Sequence, residues 1–155
     1  MDISFKTPAG RFNYRVSAVI IRNGCLLTMQ DNAYSYSYLP GGRVKMGETS
    51  AEAMQRELQE ELRAALPVIR PLWICEDFFT EEDTHERFHE ICIYYLLELP
   101  GISGSDFSFI ERGRRNSFEW IPFEELKDRY LYPEFIKERI WKLPESFEIL
   151  TENSI

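Results

Sequence analysis

Three glutamates in one short stretch, Glu57, Glu60 and Glu61, stand out as residues able to do chemistry. On a helix, at about 100° per residue, they fall within an arc of roughly 100°. One face would then carry three carboxylates, and like charges at three- and four-residue spacing repel. Arg56 and bound cations are the natural compensation. Carboxylate oxygens are hard ligands that select magnesium, manganese or calcium over soft metals. Taken alone, the pattern also fits a solvated acidic helix face.

The elements that must position these residues can be read around them. Ala51, Met54, Leu58 and Leu62 recur at helical spacing beside the carboxylates and predict a helix over residues 50–65. Thr49 or Ser50 can cap its start, and Pro67 limits its extension. Upstream, residues 34–39 read as a strand closed by Pro40-Gly41-Gly42. Asn23-Gly24 is a hairpin signal between strands over 12–22 and 25–30. Two long strands are predicted over 69–79 and 88–99, joined by an acidic turn. Residues 101–117 read as a loop and 118–121 as a short strand. Pro122 opens a short helix to Asp128, and Pro133 a second to about Leu143. Strands around one strong helix, with helices at the end, indicate an α+β layered fold in a single domain over residues 1–155.

Composition narrows the function classes. A net charge of −8 argues against broad nucleic-acid binding, which needs a basic face. It is compatible with a small phosphorylated substrate, because carboxylate-held cations can carry the phosphate. No apolar run reaches membrane-spanning length, and the N-terminus lacks a signal-peptide pattern. Cys25, Cys75 and Cys92 sit in apolar runs without metal-ligand spacing and read as reduced thiols of a cytoplasmic protein.

The spacing around the glutamates is specific. Gly42 is followed after five residues by Glu48, and after seven more by Arg56-Glu57-Leu58-Gln59-Glu60-Glu61. Chance agreement at Gly42, Glu48, Arg56, Glu57, Glu60 and Glu61 is on the order of one in a million per start position. This segment resembles the box of the Nudix hydrolase family, with Arg63 where that box usually has Gly and Ala64 as the following aliphatic residue. The late Phe118-Glu119-Trp120-Ile121-Pro122 is similar in style to that family as well. The resemblance implies an α/β/α sandwich around a mixed β-sheet, and hydrolysis of a small nucleoside diphosphate linked to another group. It implies magnesium as cofactor, with manganese able to substitute, and frequent homodimers.

Carried onto this chain, the resemblance makes Glu57 and Glu61 metal ligands and Glu60 a further ligand or the group that orients water. The Gly41 carbonyl matches a backbone ligand, and Arg56 and Glu48 match the pair that holds the carboxylates in place. The departure at Arg63 removes the usual left-handed helix end, so the helix is expected to run on towards Ala65. A separate base is expected from outside the box, for which Glu111 is the nominee. Among substrate-binding candidates, Arg15 is a phosphate or base contact by resemblance, or equally an edge ion pair. Tyr34, Tyr36 and Tyr38 alternate, so they would share one strand face and could stack on a base or sugar. Gly42 belongs to the metal turn; Glu76 and Glu90 could face the pocket; Arg112, Arg114 and Arg115 form a basic cluster that is either solvated or a lid. His85 and His89 lack partners at ligand spacing and read as surface residues.

Two rivals are carried forward. A non-catalytic nucleotide sensor often loses box carboxylates, and all are kept here. An allylic diphosphate isomerase needs a reactive cysteine in the pocket, and none lies near the box in sequence.

Overall fold

The computed structural model describes residues 1–63, 65–98, 108–111 and 114–155, with backbone alone for 108–111 and 114–115. The chain order is β1 (Ser4–Thr7), β2 (Gly10–Arg22), β3 (Cys25–Asp31), β4 (Gly41–Arg43), α1 (Ser50–Leu62), β5 (Val68–Thr80), β6 (Arg87–Leu97), β7 (Ser108–Glu111), β8 (Arg114–Pro122), α2 (Ile136–Arg139) and β9 (Glu148–Asn153). A 3-10 turn, Phe123–Asp128, lies between β8 and α2.

The strands run β7-β8-β3-β2-β6-β5-β9, with β2–β6 and β5–β9 parallel and the other pairs antiparallel. This is the mixed sheet expected. Strand β2 organises it. One edge of β2 pairs with β6 from Arg11 to Ile20. Its other edge is shared in turn by β1, by β4 at Arg15–Ser17, and by β3 only at Ile21 and Arg22. Asn23 and Gly24 both have positive φ, 50° and 72°, as the tight hairpin requires. Beyond that hairpin β3 leaves β2 and pairs with β8, so the sheet splits. The chain crosses the split through Tyr38, bonded to Met29 of β3, and Pro40, whose carbonyl accepts from Ala18 of β2.

Apolar side chains fill both sides of the sheet. Val16, Ala18 and Ile20 meet Ala53, Met54, Leu58 and Leu62 of α1 on one side. Val19, Trp73 and Tyr94 meet Leu126, Phe135 and Ile136 on the other. Alternation along β2 therefore supplies both cores, which makes the α/β/α sandwich. Among the described residues no helix is long and apolar enough to cross a membrane.

Several sequence expectations change. Residues 34–39 form no strand; only isolated bridges at Ser37 and Tyr38 hold them. Ser35 and Tyr36 lie in a bend, and only Ser37 and Tyr38 lie along neighbours, Leu131 and Met29. Residues 108–111 and 114–117 are not loop but paired strand, β7 against β8; the rest of the expected 101–117 loop lies outside the described residues. Helix α1 stops at Leu62, because Arg63 itself adopts the left-handed conformation, φ 52° and ψ 36°. Ala53 is buried in the apolar stripe in place of Ala51, which is exposed. The helix expected to reach Leu143 is only the single turn of α2. Strands β1 and β9 carry charged and polar residues and were not foreseen.

Candidate functional site

Helix α1 starts with a reciprocal cap. Thr49 Oγ1 accepts from the Glu52 backbone N–H at 3.2 Å, and Glu52 Oε2 accepts from the Thr49 N–H at 2.7 Å. This fixes the rotation of the helix, and its apolar stripe locks it onto the sheet. Glu57 and Glu61 then fall at the border of the stripe. Glu61 is 8 % exposed, and the Glu57 side chain 14 %, against 47 % for Glu60. The three carboxylates are therefore not equivalent.

Gly42 is the counterpart of Glu57. A Cβ on Gly42 would collide with all three heavy atoms of the Glu57 carboxyl group. A Cβ on Gly41 would strike the Val16 carbonyl oxygen. Only glycine at both positions lets the β4 backbone lie between β2 and the carboxylate.

Arg56 ties the turn to the helix. Its Nε donates to Glu48 Oε2 at 3.0 Å and its Nη2 to Glu48 Oε1 at 2.6 Å. Nη2 also donates to the Arg43 carbonyl, and Nη1 to Glu57 Oε1, both at 2.9 Å. Glu48 in turn accepts from the Lys45 backbone N–H at 2.7 Å. The forked bond from Arg56 holds the Glu48 carboxyl below its usual range. Glu57 moves the other way: burial raises its pKa, and Arg56 only partly opposes this.

Arg15 is on the other face of β2 from Val16 and α1, yet near enough for its charge to act on Glu57. Its Nε is shut off from solvent and, among the described residues, has no hydrogen-bond partner. Burial opposes its charge, yet Glu90 and, more weakly, Glu61 keep it protonated beyond its ordinary range. Arg15 is in the middle of the sheet between β4 and β6, not at an edge.

A NUDIX domain family model matches residues 11–139, nearly all of the span from β2 to α2. The chain belongs to the NUDIX family. Solved structures agree in fold. The mutator MutT protein from Bacillus halodurans aligns with TM-score 0.60 at 16% identity, covering 91% of this chain and 88% of that one. An ADP-ribose pyrophosphatase from Streptococcus suis aligns with TM-score 0.57 at 17% identity, covering 90% and 98%. A UDP-X diphosphatase aligns with TM-score 0.56 at 20% identity over 88% of this chain, which spans only 61% of that protein's length. At these identities the likeness is one of fold, the expected Nudix sandwich. The sequence assignment to a family of pyrophosphohydrolases therefore holds at family level.

Within this NUDIX domain the remaining candidates divide. Tyr36 and Tyr38 are close enough to Arg15 to feel its charge, and Tyr38 also feels Glu61. Glu90 sits on the same sheet face as Arg15, opposite Asn13, whose Nδ2 donates to it at 3.3 Å. Glu76 pairs with Ile91 and is exposed, on the sheet face that carries Val16 and α1, opposite to Arg15. Glu111 ends β7, with its backbone opposite Arg114; its side chain, Arg112, Ala64 and the side chains of Arg114 and Arg115 lie outside the described residues. His85 is in the β5–β6 turn with φ 58°, and His89 packs on Phe78 at 4.5 Å between ring centroids.

Sequence reasoning missed Asp77. It pairs with Glu90 and with Glu152 across three adjacent strands, and burial together with those two charges pushes it up to about 6. Only the non-local register reveals that cluster. Among the described residues, no three acidic, histidine or cysteine groups converge as a preformed metal cage. Arg56, 2.9 Å from Glu57 and 3.6 Å from Glu60, holds those carboxylates instead.

Proposed function

We propose that this NUDIX protein is a divalent-metal-dependent hydrolase of the phosphoanhydride bond in a small nucleoside diphosphate linked to another group. Magnesium is the proposed cation, with manganese as a substitute. The observation that carries the reading is the Glu57 carboxylate, shielded from water against Gly42, one helical turn from the buried Glu61. A carboxylate with a pKa raised by burial gains most from a neighbouring cation. The oxygen-only donor set suits magnesium or manganese.

Glu57, Glu61 and the Gly41 carbonyl would hold the metal, with Glu60 as a further ligand or the group that orients water. When bound, the cation offsets phosphate charge and makes a bound water more acidic. Arg56 fixes Glu57 in one rotamer, and Glu48 fixes Arg56, so the carboxylate is oriented before any ligand arrives. Arg15, with a buried N–H that lacks an acceptor among the described residues, would donate to a phosphate oxygen. Glu111 remains the proposed base. The three free cysteines fit a cytoplasmic protein.

The isomerase rival meets a specific observation. Cys92 does lie opposite Arg15 in the β2–β6 register. It is 3 % exposed, its sulfur is 3.4 Å from Ser17 Oγ, and burial pushes its thiol up to about 12. That thiol is a core group and not a reactive one. The test is a panel of ADP-ribose, nucleotide sugars, dinucleoside polyphosphates and nucleoside triphosphates with magnesium, with products identified by mass. Cleavage between phosphoryl groups of at least one substrate is expected. No cleavage across the panel would contradict the reading.

A further inference from the structure

We propose that Tyr36, Tyr38, Tyr130 and Tyr132, extended by Tyr34, form the subsite that holds the planar base of the substrate. The proposal rests on the reading of the neighbouring carboxylates as a nucleotide-cleaving site.

Two chain segments far apart in sequence build this surface. Ser37 pairs with Leu131 in a parallel bridge: its N–H donates to the Tyr130 carbonyl at 2.9 Å, and its carbonyl accepts from the Tyr132 N–H at 3.0 Å. In extended chain, alternate residues point to opposite sides. Ser37 and Leu131 point inward, 6 % and 0 % exposed. Their neighbours on both segments are tyrosines and gather on the outer side. Tyr36 is the centre, with ring centroids at 5.2 Å to Tyr34, 6.3 Å to Tyr38, 5.7 Å to Tyr130 and 5.1 Å to Tyr132.

Tyr38 packs against the α1-side core, but the rest of the cluster opens to solvent. Tyr130 is 47 % exposed and Tyr132 42 %, so aromatic surface faces water. Contiguous exposed apolar surface is a feature of ligand-binding grooves. Its position selects the occupant. Arg15 lies close enough to act on both Tyr36 and Tyr38, and also acts on Glu57. A phosphate near Arg15 thus places the far end of a nucleotide over the rings. Glu81 and Glu82, in the turn after β5, act on Tyr36 and Tyr132 from the other side. Their charge disfavours a second phosphate there and favours a neutral ring. Tyrosine faces stack on a base, and their hydroxyls can bond to its polar edge.

The experiment is isothermal titration of the whole chain, with magnesium, against AMP, GMP, CMP, UMP and ribose 5-phosphate. Wild type, Tyr36→Leu and Tyr132→Ser are compared, each checked by thermal unfolding. At least one nucleotide is expected to bind about tenfold or more tighter than ribose 5-phosphate. Both substitutions should remove that advantage and leave ribose 5-phosphate affinity unchanged. If Tyr36→Leu fails to fold, the exposed Tyr132 ring decides the outcome. The proposal is overturned if no nucleotide binds tighter than ribose 5-phosphate, or if folded variants keep the advantage. Binding is read without turnover. A chain that binds bases but cleaves nothing defeats the hydrolase reading alone, and a chain that cleaves but binds bases no better than the sugar phosphate defeats this one alone.

Discussion

Gly42 lies so close to Glu57 that a single added carbon at position 42 would overlap the Glu57 carboxyl group. Gly42→Ala should therefore push that carboxylate out of place. The expected result is a fall in turnover of about tenfold or more, or roughly 1.4 kcal/mol, with a fold that survives. Gly47→Ala is the contrast. Gly47 has φ 89° and nothing near its missing Cβ, so alanine there brings backbone strain without a collision. It should lower stability by about 1 kcal/mol and leave turnover normal. Turnover and thermal unfolding of both variants check the pair.

Arg63 occupies a left-handed helix end, where a non-glycine residue is disfavoured. Arg63→Gly relieves that cost but adds freedom to the unfolded chain. The expected change in stability lies between zero and about 1 kcal/mol of stabilisation, with turnover unchanged. Denaturant unfolding measures the first. A loss of turnover in a normally folded variant would mean that Arg63 reaches the substrate.

Arg56→Lys keeps the charge and loses the fork that grips Glu48 through two nitrogens. Turnover and thermal stability should fall together, because one side chain joins the turn, the helix and Glu57. A drop in stability with full turnover would show that Glu57 is placed by other contacts.

Asp77 gives the pH dependence of stability a definite sign. Its folded pKa is raised to about 6, so between its unfolded value near about 4 and that point the folded state holds the proton more tightly. Stability then falls as pH rises through this window. Asp77→Asn should flatten that slope and be the more stable protein above pH ~7, by on the order of 1 kcal/mol after allowance for partial exposure. Thermal unfolding from pH ~4 to ~8 is the measurement; an unchanged slope would contradict the assignment.

The helix and its acidic face were legible because local spacing determines both. The capping box, the apolar stripe and the position of Glu57 and Glu61 all lie within one turn-and-helix unit. The hairpin at Asn23-Gly24 was legible for the same reason. What failed depended on distant partners. Residues 34–39 read as a strand, but Ser37 is bridged to Leu131, almost a hundred residues on, and the Tyr130-Leu131-Tyr132 echo of the Tyr36-Ser37-Tyr38 pattern has meaning only once that bridge is seen. Asp77 becomes unusual only through its register with Glu90 and Glu152. Strand β9 has one buried residue, Leu150, too little for an apolar pattern to show. Arg63 shows the reverse case: the missing Gly argued for a longer helix, and Arg63 adopts the left-handed conformation itself and ends it at Leu62.

The most direct test compares hydrolysis by wild type, Glu57→Gln, Glu61→Gln and Glu52→Gln across a magnesium titration, with thermal unfolding of each. Glutamine keeps the size and helix propensity of glutamate and removes one charge from the metal face. At position 52 it can still close the capping box, so that variant is the control. Glu57→Gln and Glu61→Gln should each lose a hundredfold or more in turnover, about 3 kcal/mol of transition-state stabilisation, with folding preserved. Glu52→Gln should turn over like wild type, and wild type without divalent cations should be inactive. Equal turnover by all four proteins, or full activity after exhaustive chelation, would contradict the proposed catalytic metal site.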